Sequence, residues 1–314
     1  MNRYLIWLNW PEKCFRVDAE ALRYLKGLVG KRGEVVSVRS ERAFLRELPR
    51  ATHAVVWHFR REWYALAPRL VLLATPGAGR ELVSREAPTG VKVHFGGYHG
   101  AMISESVAGF ILAWARGFFR PELGTEGPWR ATWPRVALGD KCFRVAGTSA
   151  VVAGFGRIGR AIGAKLEALG VEVRGFGRSN VKDLPEAAKT ADWFVMALPG
   201  DTGTDGFLDA RLLSKLPRRC VVVNIGRGNA VDEGALLKAL RTGCIAGAYL
   251  DVFRNEPGPL SRKGDGECKM ADEGILGRDP ADLPWNLVKT PHSSAFSGDY
   301  LKMCFKELKD EGLV

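Results

Sequence analysis

The sequence has no apolar run approaching the about 20 residues that a helix needs to cross a bilayer. Its first residues, MNRYLIWLNWPE, form a short apolar run that is broken by Asn9, Trp10 and Pro11. A secretory signal peptide needs a longer apolar region and a cleavage site of small residues. We therefore expect the N-terminus to form a first strand, and we expect no membrane partner.

Cysteine and histidine are scarce and scattered. None of the six cysteines forms a CxxC pair, and none of the five histidines has a metal-ligand spacing such as HExxH. A chain of 314 residues buries enough core to fold without disulfide staples. Reduced thiols and a cytoplasmic location are therefore expected, and the sequence predicts no metal site.

Long runs of a single charge are also missing, although 46 Lys and Arg residues outnumber 35 Asp and Glu residues and give a net charge of +11. A basic balance favours anionic partners, such as phosphorylated cofactors and carboxylate substrates. The basic residues are scattered and no nucleic-acid-binding motif accompanies them. We therefore do not expect nucleic acid as a partner.

Strand-like and helix-like segments alternate along most of the chain. Asp18 and Ser40 can cap early helices, Ser104–Phe119 has a strong helical pattern, and a second alternation begins near Val145. Such alternation predicts parallel sheets with helices on both faces, and the length suggests two domains. The predicted fold is α/β, with two doubly wound parallel-sheet domains. These are a flavodoxin-like domain (1–98 plus 293–314) and a Rossmann domain (99–292).

The segment Val151–Arg160, VVAGFGRIGR, is a buried strand that leads into GxGxxG and a helix. In this context the first glycine permits a tight turn, the second lets a pyrophosphate approach the backbone, and the third allows close packing of helix and strand. The helix N-terminus offers unpaired N–H groups and the positive end of a dipole. These features predict a dinucleotide site at Gly154, Phe155, Gly156, Arg157, Ile158 and Gly159.

The end of the next strand favours NADP over NAD. NAD-dependent enzymes place an acid there to bind the ribose hydroxyls, but the segment GFGRSN at Gly175–Asn180 has no acid before Asp183. The missing carboxylate removes repulsion against a 2′-phosphate, which Arg178 and Ser179 can bind by charge-assisted hydrogen bonds. NAD stays open as the alternative cofactor.

Three further blocks follow in order: NIGRGNAVDE at Asn224–Glu233, GAYLDVFRNEP at Gly247–Pro257 and KTPH at Lys289–His292. Together with the glycine-rich turn, this pattern resembles the D-isomer-specific 2-hydroxyacid dehydrogenases over nearly the whole chain. It is most similar to the glyoxylate/hydroxypyruvate reductase branch, which shares the block Val56-Trp57-His58 and the pair Arg178-Ser179.

The resemblance implies a catalytic triad. Arg227 would bind the substrate carboxylate and polarise the ketone, His292 would be the acid/base, and Glu256 would hydrogen-bond the imidazole. Hydride transfer to a carbonyl carbon develops negative charge on oxygen, so a proton donor is needed there. A carboxylate beside an imidazole favours its charged form, and a guanidinium matches a carboxylate with two parallel hydrogen bonds.

The resemblance also implies that the first domain (1–98 plus 293–314) binds the substrate, that the second (99–292) binds the cofactor, and that the active site lies in the cleft between them. The substrate would contact Arg227, His292 and the backbone of Gly77, Ala78 and Gly79, where glycine allows close approach. Asp251 would face the nicotinamide amide. The remaining positions implied for the cofactor are Leu198, Pro199 and Ile225.

Four features depart from the family pattern. Ser293-Ser294 replaces a usual Gly-Gly pair, and Phe296 replaces a common Thr. These larger side chains would narrow the substrate pocket. His99 lies where several relatives place a substrate-facing asparagine, and both a substrate contact and an ordinary loop histidine stay open. Residues 260–278 have the composition of an inserted surface loop.

These observations predict an oxidoreductase that transfers a hydride between NADP(H) and a small 2-ketoacid, glyoxylate or hydroxypyruvate. Two alternatives stay open: an NAD-dependent D-3-phosphoglycerate dehydrogenase or other D-2-hydroxyacid dehydrogenase, and a dinucleotide-sensing, corepressor-like binding protein of the same fold. The resemblance further implies a homodimer through the cofactor domains, with the Ser104–Phe119 helix and an arm containing Trp129 at the interface.

Overall fold

The computed structural model describes residues 1–79, 82–84, 86–121, 135–257 and 274–314. The chain divides into two compact units, one of residues 1–99 with 295–314 and one of residues 100–294. The arm that contains Trp129 and most of the predicted insertion, residues 260–273, lie outside the described residues.

The first unit is built on a parallel five-stranded sheet in the order β2-β1-β3-β4-β5. Its helices α1 (Ala19–Val29) and α2 (Glu41–Glu47) begin at the predicted caps, because the Asp18 and Ser40 side chains accept hydrogen bonds from backbone N–H groups in the first turns. The order 2-1-3-4-5 is the flavodoxin-like one, as predicted. The strands are β1 (Asn2–Trp7), β2 (Gly33–Ser37), β3 (His53–Val56), β4 (Leu72–Thr75) and β5 (Lys92–Phe95).

The C-terminal helix α9 (Tyr300–Asp310) belongs to this first unit. The two ring nitrogens of His94, on β5, lie 3.2 Å from carboxylate oxygens of Glu307 and Glu311. The Gly97 N–H also donates to Glu307 at 3.0 Å. Lys92-Val-His-Phe is short and half polar, so its local sequence gives only a weak strand signal, and pairing with β4 and contacts with α9 fix β5 in place.

The second unit has a parallel six-stranded sheet in the order β11-β10-β9-β8-β6-β7. Numbered from β6, the order is 2-1-3-4-5-6, and it reverses between β6 and β8, where doubly wound sheets bind ligands. The strands are β6 (Ser149–Ala153), β7 (Glu172–Phe176), β8 (Trp193–Met196), β9 (Val221–Asn224), β10 (Gly247–Leu250) and β11 (Leu287–Lys289). The helices are α3 (Gly100–Ala115), α4 (Arg135–Gly139), α5 (Arg157–Ala168), α6 (Leu184–Ala187), α7 (Ala210–Leu213) and α8 (Glu233–Arg241).

Helix α3 lies four residues earlier in the chain than the predicted Ser104–Phe119. It ends at Ala115 because the Phe118 N–H donates to the Ala113 carbonyl and the Gly117 N–H to the Trp114 carbonyl, both at 2.9 Å, which closes the last turn. None of the helices within the described residues has the length and apolar character needed to cross a membrane.

The strand ends of the second sheet are aligned at one edge. Ala153 pairs with Phe176 and Met196, Met196 with Asn224, and Asn224 with Leu250. Because the strands are parallel, the segments that follow them all emerge at the same carboxyl edge. The glycine-rich turn and the three sequence blocks therefore supply their polar residues to one side of the sheet.

Candidate active site

The glycine-rich turn follows β6 and is joined to the end of β7. Gly154 has φ +91°, and a Cβ there would lie 2.5 Å from the Ala197 carbonyl oxygen. A Cβ at Gly159 would lie 2.2 Å from the Gly154 oxygen. The N–H groups of Gly154 and Phe155 donate to the Phe176 carbonyl at 2.8 and 3.0 Å. Only glycine fits the first and third positions of the motif.

The second position, Gly156, begins α5 without a side-chain cap, and a Cβ there would meet nothing within 4 Å. The N-terminus of the helix thus has no side-chain cap and lies beside open space, which fits a pyrophosphate. The Phe155 ring instead packs closely on Gly175 of β7, as shown by the 2.3 Å that would separate the ring from a Cβ added at Gly175. Phe155 therefore offers only its backbone to a cofactor. Arg157 is exposed and Ile158 is half-buried.

After β7 the chain makes a turn over Gly177–Asn180, where the Asn180 N–H donates to the Gly177 carbonyl at 3.2 Å. Arg178 and Ser179 occupy its centre and are exposed. Neither makes a hydrogen bond or ion pair with the other described residues. No carboxylate stands in this turn, so it presents a cation without a competing acid.

The segments after β8 and β9 touch each other. A Cβ at Gly226 would lie 2.5 Å from the Leu198 carbonyl oxygen. Leu198 is half-buried, Pro199 is exposed and Ile225 is buried. Their roles in cofactor binding stay predictions.

Asp251, directly after β10, is 2% exposed and anchors the segment that carries His292. Its carboxylate accepts the Ser293 N–H at 2.8 Å, the Ser294 N–H at 3.0 Å and the Thr290 hydroxyl. The sequence interpretation missed this anchoring role, because it depends on residues about 40 positions away. The predicted contact of Asp251 with the nicotinamide stays a prediction.

His292 has φ +53°, and no other non-glycine residue in the described ranges has a positive φ. Its N–H donates to the carbonyls of Asp251 and Thr290 at 2.8 and 3.0 Å, which holds this left-handed conformation. The ring Nδ1 lies 2.8 Å from Glu256 Oε2, and half of the side chain is exposed. Because a carboxylate only accepts, Nδ1 carries the proton. Nε2 has no hydrogen-bond partner among the described residues and is left for a substrate.

Glu256 is held at both oxygens, since Oε1 accepts the Phe253 N–H at 2.8 Å. Burial raises the pKa of the Glu256 carboxyl. The hydrogen bond and charge of His292, the Phe253 N–H and the charge of Arg227 together outweigh burial, so this pKa lies below its usual value. Glu256 is therefore ionised at neutral pH.

Arg227 projects from a short loop after β9 that is closed by the buried Asn224 side chain. Asn224 Oδ1 accepts the Gly226 N–H and Nδ2 donates to the Arg227 carbonyl, both at 3.1 Å. Arg227 itself donates from its guanidinium to the Gly226 carbonyl at 2.9 Å. A Cβ on Gly228 would lie 1.8 Å from the Phe253 carbonyl carbon. This close backbone contact brings the loops of Arg227 and Glu256 together.

Glu233, the last residue of the NIGRGNAVDE block, supports the same region. Its carboxylate accepts the N–H groups of Arg254 at 3.0 Å and Ile275 at 2.7 Å. It thus joins the two segments that flank residues 258–273. The sequence shows Glu233 as part of a motif, but it could not predict these contacts, because Ile275 is 42 residues away.

The residues that depart from the family pattern differ in exposure and contacts. Ser294 is buried, and its hydroxyl hydrogen-bonds Tyr249 at 3.0 Å. The expected narrowing of the substrate pocket stays a prediction. His99 is 5% exposed, so it is not an exposed loop residue. Its Nε2 lies 2.8 Å from the Tyr300 hydroxyl and therefore already has a hydrogen-bond partner. Phe296 is 42% exposed and packs edge-on against Phe15.

The Gly77–Gly79 loop follows β4 in the first unit. The Gly77 N–H donates to Thr75 Oγ1 at 3.3 Å, and its carbonyl accepts the Gly96 N–H at 3.1 Å. The N–H groups of Ala78 and Gly79 make no hydrogen bond within the described ranges. They are thus available to a carboxylate, and the substrate-binding role of this loop stays a prediction.

The parallel sheets, the glycine-rich turn and the strand-end residues define a dinucleotide-dependent oxidoreductase of the α/β class. Residues 108–276 match the model of the D-isomer specific 2-hydroxyacid dehydrogenase NAD-binding domain. The chain belongs to the D-isomer specific 2-hydroxyacid dehydrogenase family. The predicted fold and the expectation of an NAD(P)-dependent dehydrogenase are confirmed.

Relatives and solved structures agree with this assignment. The chain is 29% identical to a glycerate dehydrogenase of Methylorubrum extorquens over 251 residues, which are 77% of this chain and 75% of that protein. It is 30% identical to a glyoxylate reductase of Thermococcus kodakarensis over 216 residues, 62% of this chain and 64% of that protein. Its fold is similar, with a TM-score of 0.74 and 16% identity, to an NAD-complexed D-isomer specific 2-hydroxyacid dehydrogenase from Lactobacillus delbrueckii ssp. bulgaricus, over 99% of this chain and 96% of that one.

Proposed function

We propose that the protein is an NADPH-dependent reductase that converts a small 2-ketoacid, glyoxylate or hydroxypyruvate, to the corresponding 2-hydroxyacid. One observation carries this proposal: His292 Nδ1 lies 2.8 Å from Glu256 Oε2, and His292 Nε2 has no hydrogen-bond partner among the described residues. The relatives named glycerate dehydrogenase and glyoxylate reductase support the substrate class.

The reaction divides among three side chains. A bound nicotinamide supplies the hydride. Arg227 binds the substrate carboxylate through two N–H groups and places positive charge beside the ketone oxygen. His292 Nε2–H donates a proton to that oxygen as negative charge develops. Glu256, ionised because its pKa is lowered, orients the ring and stabilises the imidazolium. In the oxidative direction, neutral His292 takes the proton from the hydroxyl.

Substrate choice is tested by following NADPH oxidation with glyoxylate, hydroxypyruvate, pyruvate and 3-phosphohydroxypyruvate. We expect the highest kcat/KM for glyoxylate or hydroxypyruvate. A preference for 3-phosphohydroxypyruvate would instead assign the phosphoglycerate alternative. Tight NADPH binding without turnover of any ketoacid would assign the nucleotide-sensing alternative.

Cofactor choice rests on the exposed Arg178 and the absence of an acid in its turn. Arg178→Ala removes a contact that only NADPH can make, worth roughly ten- to hundred-fold in affinity. We expect NADH binding to change little, since NADH has no 2′-phosphate. Lys189→Ala is the matched control, because it also removes an exposed cation, but one that already pairs with Glu186 at 2.7 Å. Equal losses with both cofactors in Arg178→Ala would contradict the assignment.

We also propose a homodimer formed through the second unit. Exposed apolar side chains lie on and beside α3, and the Arg120 guanidinium stacks on the exposed Trp285 ring at 4.9 Å. A patch of this kind favours burial against a partner. Light scattering should give twice the chain mass, and Phe118→Glu should shift it toward the monomer. The exposed residues are Leu112, Phe118 and Trp285.

The proposed location is cytoplasmic. Each of the five cysteines in the described ranges is free, as a reducing compartment favours. Fractionation of the native cells would test this location.

A further inference from the structure

The turn that presents Arg178 is held by a single side chain. Asn180 Oδ1 accepts the Gly177 N–H at 2.8 Å, and Asn180 Nδ2 donates to the Gly175 carbonyl at 3.1 Å. One amide group therefore closes the turn on itself and fastens it to β7. Both hydrogen bonds use backbone groups, so they restrain the chain path on either side of Arg178.

The same strand end carries the phosphate turn. The Phe176 carbonyl, between the two residues that Asn180 holds, accepts the N–H groups of Gly154 and Phe155. The backbone at Arg178 is thus fixed relative to the turn that fits the pyrophosphate. A 2′-phosphate lies at a set distance along the same dinucleotide, so the relative position of the two turns decides whether Arg178 reaches it.

Among the described residues, the only other hydrogen bond that closes this turn is the backbone one from the Asn180 N–H to the Gly177 carbonyl at 3.2 Å. Gly177 has no side chain, and a Cβ there would meet nothing within 4 Å. Arg178 and Ser179 are exposed and have no hydrogen-bond partner among the residues that the structure describes. Without the Asn180 side chain, the turn would sample many conformations, and only a fraction of them would place the guanidinium correctly.

We propose that Asn180 is a specificity-determining positioning residue, which selects NADPH by holding Arg178 and Ser179 where the 2′-phosphate is bound. This inference rests on the proposed preference for NADPH. Asn180 does not touch the phosphate in this scheme. It raises the fraction of molecules whose turn is ready to bind, and apparent affinity scales with that fraction.

Asn180→Ala tests the proposal by removing both hydrogen bonds. We expect the dissociation constant of NADPH, measured by fluorescence titration, to rise about tenfold, because each lost bond contributes a factor of a few. The dissociation constant of NADH should stay within about twofold, since the phosphate turn remains intact. Asn180→Asp keeps the acceptor for Gly177 but adds a negative charge to the turn that presents Arg178, so it should weaken NADPH binding more than Asn180→Ala does.

A double-mutant cycle with Arg178 separates positioning from an independent contact. If Asn180 acts through Arg178, the double variant Arg178→Ala/Asn180→Ala should bind NADPH about as weakly as Arg178→Ala alone. Full additivity of the two losses would overturn the proposal. Equal weakening of NADPH and NADH by Asn180→Ala would also overturn it, because that result indicates general loop damage. Circular dichroism of each variant checks that the fold is retained.

Failure of this inference can be told from failure of the proposed function. If the wild-type protein prefers NADPH and Arg178→Ala removes that preference while Asn180→Ala does not, only the role of Asn180 is refuted. If the wild-type protein prefers NADH and Arg178→Ala changes nothing, the cofactor proposal is refuted, and the positioning role is refuted with it.

Discussion

Replacing Gly228 with alanine would force apart the two loops that carry Arg227 and Glu256. The added Cβ would lie 1.8 Å from the Phe253 carbonyl carbon and 2.3 Å from the Arg254 nitrogen. Both obstacles are backbone atoms, so no side-chain rotation can relieve the clash. The Phe253 N–H donates to Glu256, and a shift of Phe253 would therefore also move the partner of His292.

The displacement follows from the contact distance. Ordinary van der Waals contact begins at 3.4 Å, and the Cβ would start at 1.8 Å, so the loops must separate by about 1.6 Å. A misplacement of about 1 Å at reacting groups costs on the order of 10²-fold in rate. We therefore expect Gly228→Ala to lower kcat/KM by at least about a hundredfold. The strain should also lower the free energy of unfolding by about 1–3 kcal/mol.

The assay is steady-state reduction of the best 2-ketoacid, with NADPH binding and thermal unfolding measured on the same sample. NADPH affinity should be largely retained, because the proposed phosphate-binding groups lie in the turns after β6 and β7. Gly234→Ala is the matched control on α8, where a Cβ would make ordinary contact with Asp232 at 3.4 Å and alanine favours the helix.

An unchanged kcat/KM in Gly228→Ala, with an unchanged unfolding temperature, would refute this reasoning. It would mean that the two loops can separate without disturbing the reacting groups. A loss in Gly234→Ala as large as that in Gly228→Ala would also count against it, because the effect would then not depend on the clash.

Three further predictions concern the proposed triad. His292→Ala should lower kcat by roughly 10²–10⁴-fold while NADPH still binds, and near-normal turnover would exclude this residue as the proton donor. The pKa of Glu256 is lowered in the folded state, so the ionised carboxylate stabilises the folded protein. This stabilisation is fully present above the pKa of the unfolded state and is lost as the pH falls through the pKa of the folded state. The melting temperatures of the wild-type protein and Glu256→Gln should therefore converge on acidification. Arg227→Lys keeps the charge but loses the second parallel hydrogen bond, so kcat/KM should fall by about ten- to hundred-fold, and a normal value would exclude bidentate binding.

Local signals in the sequence were sufficient for the two early helix caps and the glycine-rich turn. The caps Asp18 and Ser40 act on neighbouring N–H groups, and the glycines of GFGRIG act within one turn, so each can be read from a few consecutive residues. Boundaries were less certain where the signal was not local. α3 ends at Ala115, earlier than predicted, and β5 depends on contacts with the distant helix α9.

The contacts that hold the loops of the site in place could not be predicted from local sequence signals. Asp251 holds Ser293 and Ser294 across more than 40 residues, and Glu233 joins Arg254 to Ile275. Each of these carboxylates has a plausible local role in the sequence, as a strand-end residue or a helix-start acid. Which N–H groups they accept depends on loops that meet only after the sheet has formed.

By itself, the sequence determined the alternation of strands and helices and the glycine-rich turn, because periodicity and turn geometry act over short stretches of chain, and its resemblance to a known family implied the residue types of the proposed triad. Only the tertiary structure decided how those residues are oriented. The left-handed backbone of His292, its 2.8 Å contact with Glu256 and the close passage of Gly228 beside Phe253 depend on parallel strands that align distant loops at one edge of the sheet. Backbone packing between such loops has no signature in any one segment, since it arises from the mutual exclusion of atoms that are far apart in the chain.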